Sequence, residues 1–389
     1  MGNGASTEIE IFAEGELEAE FKRLNGAADM GLKKFVKKSY NDVIQMVIRP
    51  PRATYLVEAL GELEFPLPAS VDELMRNGLS LRDTNGSDSA PPAARPFVRR
   101  HDFHVLNERE LKVLCSHWRL YANRESAAPT PSPCLIYLHS NLGSRLDALR
   151  VRDLALQRGF SVLAFDFAGS GLSDGLFVTM GWNETNDLHA VLQHVEADAS
   201  VQDLCIFAHS MGTYPAIVNV ASRALPLVDR KQRESMDALL PAYLRSANVN
   251  ALAKPIRGLV LDGAFSSMKT LIKEFMASIQ GEGFDIPKPL LKLACSVVEQ
   301  SVKKRTDVTL EKLRPVEFVA ACFVPALFVV GAADRYVAPQ HSEALAAQYG
   351  GPAVIKKVDG EHYTPRLESV YSEAVDFLDA ALRSRAMGE

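Results

Sequence analysis

The chain of 389 residues has few cysteines and no pattern among them. The five, at 115, 134, 205, 295 and 322, show no CxxC or other paired spacing. That excludes a disulfide framework and a cysteine zinc site. Three of them fall inside apolar runs that read as strands, where they serve as small buried hydrophobes of a reducing compartment. No uninterrupted apolar run reaches the roughly 20 residues that span a bilayer, and no apolar signal-peptide core is read in the N-terminal residues. A basic excess is also missing. Lys and Arg total 43 against 48 Asp and Glu, a net charge of −5, which excludes nucleic acid as a main partner. Phosphate-loop spacing is absent too: Gly169-Ser170-Gly171 fits part of such a loop, but neither G-x-x-x-x-G-K-[ST] nor GxGxxG is completed. Neither a metal nor an organic cofactor is called for. The 47% hydrophobic content allows a substantial core, and the missing apolar span and signal core lead to the expectation of a soluble cytoplasmic protein.

What is present begins with two signals near the N-terminus. Met1-Gly2-Asn3-Gly4-Ala5-Ser6 fits the N-myristoylation pattern at Gly2. Lys33, Lys34, Lys37 and Lys38 lie among Phe35, Val36, Tyr40, Val43, Ile44, Met46 and Val47, which can form a basic amphipathic helix. An acyl chain plus a basic patch would place the protein peripherally at a membrane. The alternative is a flexible leader and a helix packed on the domain, favoured by the six glutamates between Glu8 and Glu20, which an anionic leaflet would repel. Residues 84–95 are rich in Ser, Pro, Ala, Asp and Gly and read as a linker. The expected division is therefore a leader, amphipathic helix and linker over 1–95, and one larger domain over 96–389.

Within that domain, strand and helix patterns alternate. Residues 97–106 and 111–120 read as an antiparallel pair, followed by apolar strands at 134–139, 161–167, 204–208, 258–262, 324–331 and 354–358. Helical periodicity marks 147–158, 185–196, 341–349 and 367–382 between and after them. The alternation predicts a mostly parallel eight-stranded sheet with helices on both faces and an antiparallel edge. Chemistry in such sheets collects at the carboxyl ends of the strands. Residues 225–255 read as a polar surface excursion of unassigned role. Residues 265–321, with helix-like segments, sit where a helical cap would cover the strand ends.

The strand 204–208 ends in Ala208-His209-Ser210-Met211-Gly212, and a helix-compatible segment follows at once. Small residues two before and two after a serine, between strand and helix, make a nucleophile elbow, with Ala208 at its first glycine position. A serine hydroxyl needs a base to take its proton and a third group to orient that base. His362, after the strand 354–358, is the expected base. His139 ends a strand ahead of Ser210 and suits an oxyanion loop. His209 should point away from the serine, and His101, His104, His117, His189, His194 and His341 read as sheet or helix-surface residues. Two carboxylates could orient the base: Asp334, favoured because its strand neighbours that of His362, and Asp262 as the alternative. An oxyanion hole needs two convergent donors, expected from the backbone N–H groups of Met211 and of Asn141 in His139-Ser140-Asn141-Leu142-Gly143.

These motifs, with Ile48-Arg49-Pro50-Pro51-Arg52, Tyr55, Asp166-Phe167-Ala168-Gly169-Ser170-Gly171-Leu172-Ser173 and Gly360-Glu361-His362, resemble the α/β-hydrolase superfamily of serine hydrolases. More narrowly they are similar to the serine-aminopeptidase-like proteins of protists and plants and to the acyl-protein thioesterases of animals. The resemblance implies Ser210 as nucleophile, His362 as base, Asp334 as acid and Asn141 with Met211 as oxyanion donors. Ser140 departs from the glycine usual after the histidine, and Ala208 from the first elbow glycine. The N-terminal cysteine cluster of the animal thioesterases is absent. The expected activity is hydrolysis of an ester or thioester, from a lipidated protein or a lipid, through an acyl-enzyme. A peptidase acting on a peptide substrate and a non-catalytic binding protein of the same fold are the alternatives.

Overall fold

Some strands flanked on both sides by other strands carry no polar face. In the computed structural model β5 (Ser161–Phe165) and β8 (Ala326–Gly331) are buried at every residue, as a parallel sheet covered on both sides requires. The structure describes residues 48, 50–68, 96–245, 254–280 and 299–386. Gly2, the Lys33–Lys38 segment, the linker at 84–95 and Cys295 lie outside them. Cys115, Cys134, Cys205 and Cys322 are free and buried. Among the described residues no cluster of His, Cys, Asp and Glu could hold a metal ion, and no helix is long and apolar enough to cross a membrane.

The chain divides into two compact units, one of residues 1–51 and 267–314, the other of residues 52–266 and 315–389. In the smaller unit, the helix Met268–Gln280 and the turn Leu310–Lys312 are tied by a Met268 N–H donated to Leu313 O at 2.9 Å and by a Lys269–Glu311 ion pair. Most of the segment anticipated as a cap thus belongs to this unit.

The larger unit is a nine-stranded sheet of order β1-β2-β3-β5-β4-β6-β7-β8-β9. It comprises β1 (Glu64–Pro66), β2 (Phe97–Leu106), β3 (Lys112–Tyr121), β4 (Ser132–Leu138), β5, β6 (Val201–His209), β7 (Ile256–Asp262), β8 and β9 (Ala353–Val358). The eight expected strands are all present. The ninth, β1, pairs antiparallel with β2 and comes from the segment ahead of the linker. From β5 to β9 the strands run parallel, whereas β3 meets β5 antiparallel. The order 5-4-6 means that the chain leaves β4 toward one edge and leaves β6 toward the other. The crevice at the carboxyl ends of β4 and β6 is therefore the topological switch point, where open α/β sheets bind ligands.

Helices α1 (Leu149–Gln157), α2 (Glu184–Glu196), α3 (Thr213–Arg223), α4 (Pro339–Ala347) and α5 (Glu368–Ala386) cover the sheet. On α5, Val370, Tyr371, Ala374, Val375 and Leu378 recur at helical spacing and join Val151, Ala155 and Leu156 of α1 in one core cluster. Gly258 of β7 makes room for this packing, since a Cβ there would come within 3.1 Å of Leu378 and 3.2 Å of Ala381. The polar segment after α3 is not simply a surface excursion. It forms the helices Arg230–Leu239 and Ala242–Arg245. Met236, Leu240 and Leu244, four residues apart, are all buried, a sparse apolar stripe that its high charge conceals.

Candidate active site

The elbow forms because β6 must pass straight into a helix. The turn falls on Ser210, at φ 51°, one of four non-glycine residues with positive φ among the described residues. Such a conformation costs on the order of 1–3 kcal/mol and is kept where its surroundings over-determine it. Here a short helical turn, Ser210–Gly212, leads directly into α3, and Thr213 Oγ1 donates to Ser210 O at 2.6 Å. Gly212 is required by contact. A Cβ there would lie 2.7 Å from Leu138 O and 2.8 Å from Leu138 Cβ. The strand β4 and its loop thus pass directly against the elbow.

Asp334 and His362 follow neighbouring strands, β8 and β9, whose ends pair at Gly331 and Val358. Their loops are stitched together by Ala332 N–H to Val358 O at 2.8 Å and Ala333 N–H to Gly360 O at 3.1 Å. The structure brings the three side chains into one line. His362 Nε2 lies 2.6 Å from Ser210 Oγ, and His362 Nδ1 lies 2.6 Å from Asp334 Oδ2. All three residues are buried. The other oxygen of Asp334 accepts the Tyr336 and Val337 N–H groups at 2.9 and 2.8 Å, which fixes the carboxylate plane. Gly263, at φ +65°, leaves room for the imidazole, since a Cβ there would fall 2.9 Å from His362 Cε1.

Asp262 does not touch His362. It forms a two-pronged pair with Arg366, at 3.0 Å to Nε and 2.8 Å to Nη2, with both side chains nearly fully buried. The Arg366 Nη1 donates to Glu361 O at 3.0 Å, so the pair clamps the loop that carries His362 to the end of β7. Sequence reasoning missed Arg366. The signal was indirect, because an aspartate at the end of a buried strand needs a cation. His209 points away from the serine, as its place in the strand implies, and its Nε2 lies 3.1 Å from His362 O. Burial lowers its pKa, so its ring stays neutral and supplies an N–H to that carbonyl. His117, His189 and His341 are buried as well. His341 packs inward from α4, where its Nδ1 lies 2.7 Å from Ser266 Oγ.

The loop after β4 is organised around one carbonyl. The Gly143 N–H donates to Ser140 O at 3.0 Å, and His139 Nδ1 lies 2.6 Å from the same oxygen. The His139 Nε2 accepts the Phe167 N–H at 3.0 Å. Burial lowers the pKa of His139, so this ring is neutral and its Nδ1 carries the proton. Two donors on Ser140 O set the orientation of the peptide whose other end is the Asn141 N–H. Ser140 is not among the residues at positive φ, so a side chain in place of glycine is accommodated without left-handed strain. Both Asn141 and Met211 are buried beside these turns.

A further set of residues supports the adjoining loop, 166–175. Arg52 donates to the carbonyls of Gly171 at 2.7 Å, Gly175 at 3.0 Å, Ser170 at 3.3 Å and also Ser173. The buried Asp166 accepts Tyr55 OH at 2.6 Å, the Leu172 N–H at 2.8 Å and the Arg145 N–H at 2.8 Å. Gly171 cannot carry a side chain, since a Cβ would fall 2.2 Å from the Asp166 carboxyl carbon. Thus Gly169-Ser170-Gly171 is a packed loop whose Ser170 and Gly171 carbonyls accept from a guanidinium.

The chain belongs to the alpha/beta hydrolase family, whose model matches residues 135–369. It is 25% identical to the uncharacterized protein YfhR of Escherichia coli K12 over 254 residues, which cover 64% of this chain and 70% of that protein. Among solved structures it is similar to the esterase Pf2001 of Pyrococcus furiosus, at 17% identity and a TM-score of 0.48. That match covers 74% of this chain and 93% of the esterase. Est1E of Butyrivibrio proteoclasticus, solved with ferulic acid bound, matches at 18% identity and a TM-score of 0.47, over 72% of this chain and 99% of its own.

Proposed function

We propose that this protein is a serine hydrolase that cleaves an acyl ester or thioester through an acyl-enzyme on Ser210. One observation carries the reading: the unbroken relay of Ser210 Oγ, His362 Nε2, His362 Nδ1 and Asp334 Oδ2, with 2.6 Å at each contact between residues. Ser210 Oγ attacks the acyl carbon as its proton passes to His362 Nε2. Asp334 holds Nδ1–H and stabilises the imidazolium. The N–H groups of Met211 and Asn141 receive the oxyanion. The tetrahedral centre collapses, the carbon–oxygen or carbon–sulfur bond breaks, and His362 returns its proton to the leaving group. Water, deprotonated by His362, then releases the acid and restores Ser210.

The N-terminal signals, Gly2 and Lys33–Lys38, support a substrate found at a membrane, a lipidated protein thioester or a lipid ester. The test is labelling by a fluorophosphonate probe, followed by hydrolysis of matched ester, thioester and amide substrates. Labelling of the wild type that is lost in Ser210→Ala is expected, with ester and thioester turning over faster than amide. A folded wild type that stays unlabelled refutes the serine-hydrolase reading. Preference for the amide would make the protein a peptidase instead.

A further inference from the structure

Tyr363 follows His362 directly, yet its side chain leaves the base. Its hydroxyl donates to Asn141 Oδ1 at 2.9 Å, across 222 residues of sequence. The ring packs edge-on against His362 at 4.7 Å between centroids and against Tyr336 at 5.4 Å, so its direction is fixed by packing. Burial pushes the phenol well above its ordinary pKa, which keeps it a donor at neutral pH. The loop holding His362 is itself pinned, through Glu361 O by Arg366 and through His362 O by His209. The Asn141 loop is held at the Ser140 carbonyl, on one side of the 140–141 peptide. The Tyr363 contact adds a second point on the other side of that peptide.

We infer that Tyr363 is a positioning residue that holds Asn141, and with it the main-chain N–H at 141, in register with the base and nucleophile. The inference rests on the serine-hydrolase reading above. It makes the base loop and the oxyanion loop one unit, joined through the Tyr363–Asn141 hydrogen bond. Loss of a whole oxyanion donor costs roughly 100- to 1000-fold in kcat. Loosening one that remains present should cost less, on the order of 5- to 50-fold. Because the contact acts on transition-state charge, KM should stay within about twofold.

The experiment measures kcat, KM and pH profiles for Tyr363→Phe, Asn141→Ala, Asn141→Asp and the double variant Tyr363→Phe/Asn141→Ala, beside fluorophosphonate labelling of the wild type. Tyr363→Phe and Asn141→Ala should each lose kcat, and the double variant should lose no more than the worse single one. Asn141→Asp keeps an acceptor oxygen and should recover part of the loss. In Tyr363→Phe and Asn141→Ala, which add no charge and leave both His362 contacts in place, the midpoint of the pH profile of kcat/KM should not move. Wild-type kcat in Tyr363→Phe, or losses that multiply in the double variant, would overturn the inference while a labelled wild type leaves the hydrolase reading intact. An unlabelled wild type would overturn both. Should Tyr363→Phe fail to fold, the difference between Asn141→Ala and Asn141→Asp still decides, and equal rates for those two refute the contact.

Discussion

Asparagine substitutions at Asp334 and Asp262 should separate catalysis from stability. In Asp334→Asn the amide oxygen can keep the Tyr336 and Val337 N–H groups, both of which now reach Oδ1. The NH2 group is then turned toward His362 Nδ1, 2.6 Å from the present Oδ2. Two donors cannot share that contact, so Nδ1 loses its proton and Nε2 gains one. A protonated Nε2 cannot accept from Ser210. The expected loss in kcat is about 10³- to 10⁴-fold, or roughly 4–5.5 kcal/mol of barrier. Thermal stability should change little. Asp262→Asn instead removes the charge facing a guanidinium whose side chain is 2% exposed. Breaking such a buried pair costs about 3–5 kcal/mol, toward the lower value here because the amide still accepts one bond. That corresponds to a fall in Tm of roughly 5–10 °C, while kcat at low temperature stays within about tenfold. Hydrolysis of a p-nitrophenyl acyl ester, with thermal unfolding followed by circular dichroism, reads both quantities. If Asp262→Asn lost more kcat than Asp334→Asn at unchanged Tm, the assignment of the acid would be wrong.

Three other perturbations follow from the same contacts. Gly212→Ala places a Cβ against the main chain of Leu138 and His139. It should displace the elbow and lower kcat by about 100-fold or more, visible in the same ester assay. Arg52→Ala frees four carbonyls of the loop 170–175. For this partly exposed guanidinium the cost should be about 1–2 kcal/mol, read as a lower Tm and faster proteolytic cleavage within that loop. Acid should destabilise the fold through buried histidines. Burial lowers the pKa of His117 to about 3 and also lowers those of His139 and His209. Below the unfolded value of about 6.5 the unfolded chain binds protons that the native state refuses. Their contribution is therefore complete above pH 6.5 and is lost as pH falls toward 3, at about 1.4 kcal/mol per pH unit for His117. Urea midpoints measured from pH 7 to 4.5 should show a shallower slope for His117→Gln, and an unchanged slope would contradict this.

Elements buried on two faces were the easiest to read from sequence. Runs such as Leu204–Ala208 and Val324–Gly331 have no polar face, and turns bound them. The relation of Ser210, His362 and Asp334 was legible for a topological reason, since strands in a parallel sheet deliver their ends to one edge. The small edge strand Glu64–Pro66 was missed because three residues carry no periodicity, and its pairing with β2 is a long-range event. The helices of 225–245 were missed because the polar, charged run 229–235 masks the first of them and Pro241 interrupts the spacing of Met236, Leu240 and Leu244. Arg52, Arg366 and Tyr363 belong to a third kind. Their partners lie 119, 104 and 222 residues away, and nothing in a local window encodes such contacts. The two-sided choice between Asp334 and Asp262 has the same origin. Asp262 ends β7 and Asp334 lies just after β8. Strand order favours Asp334, which follows the neighbour of β9, but side-chain direction, which no local pattern encodes, separates the two.

Covalent catalysis by Ser210 requires an acyl intermediate on that residue. Acid quenching of the enzyme during turnover of a p-nitrophenyl acyl ester, followed by intact-mass and peptide mass spectrometry, tests it directly. An adduct of one acyl group is expected on the peptide containing Ser210. It should be absent in Ser210→Ala and should form far more slowly in His362→Ala. Steady hydrolysis with no adduct, or an adduct on another residue that survives Ser210→Ala, would contradict it.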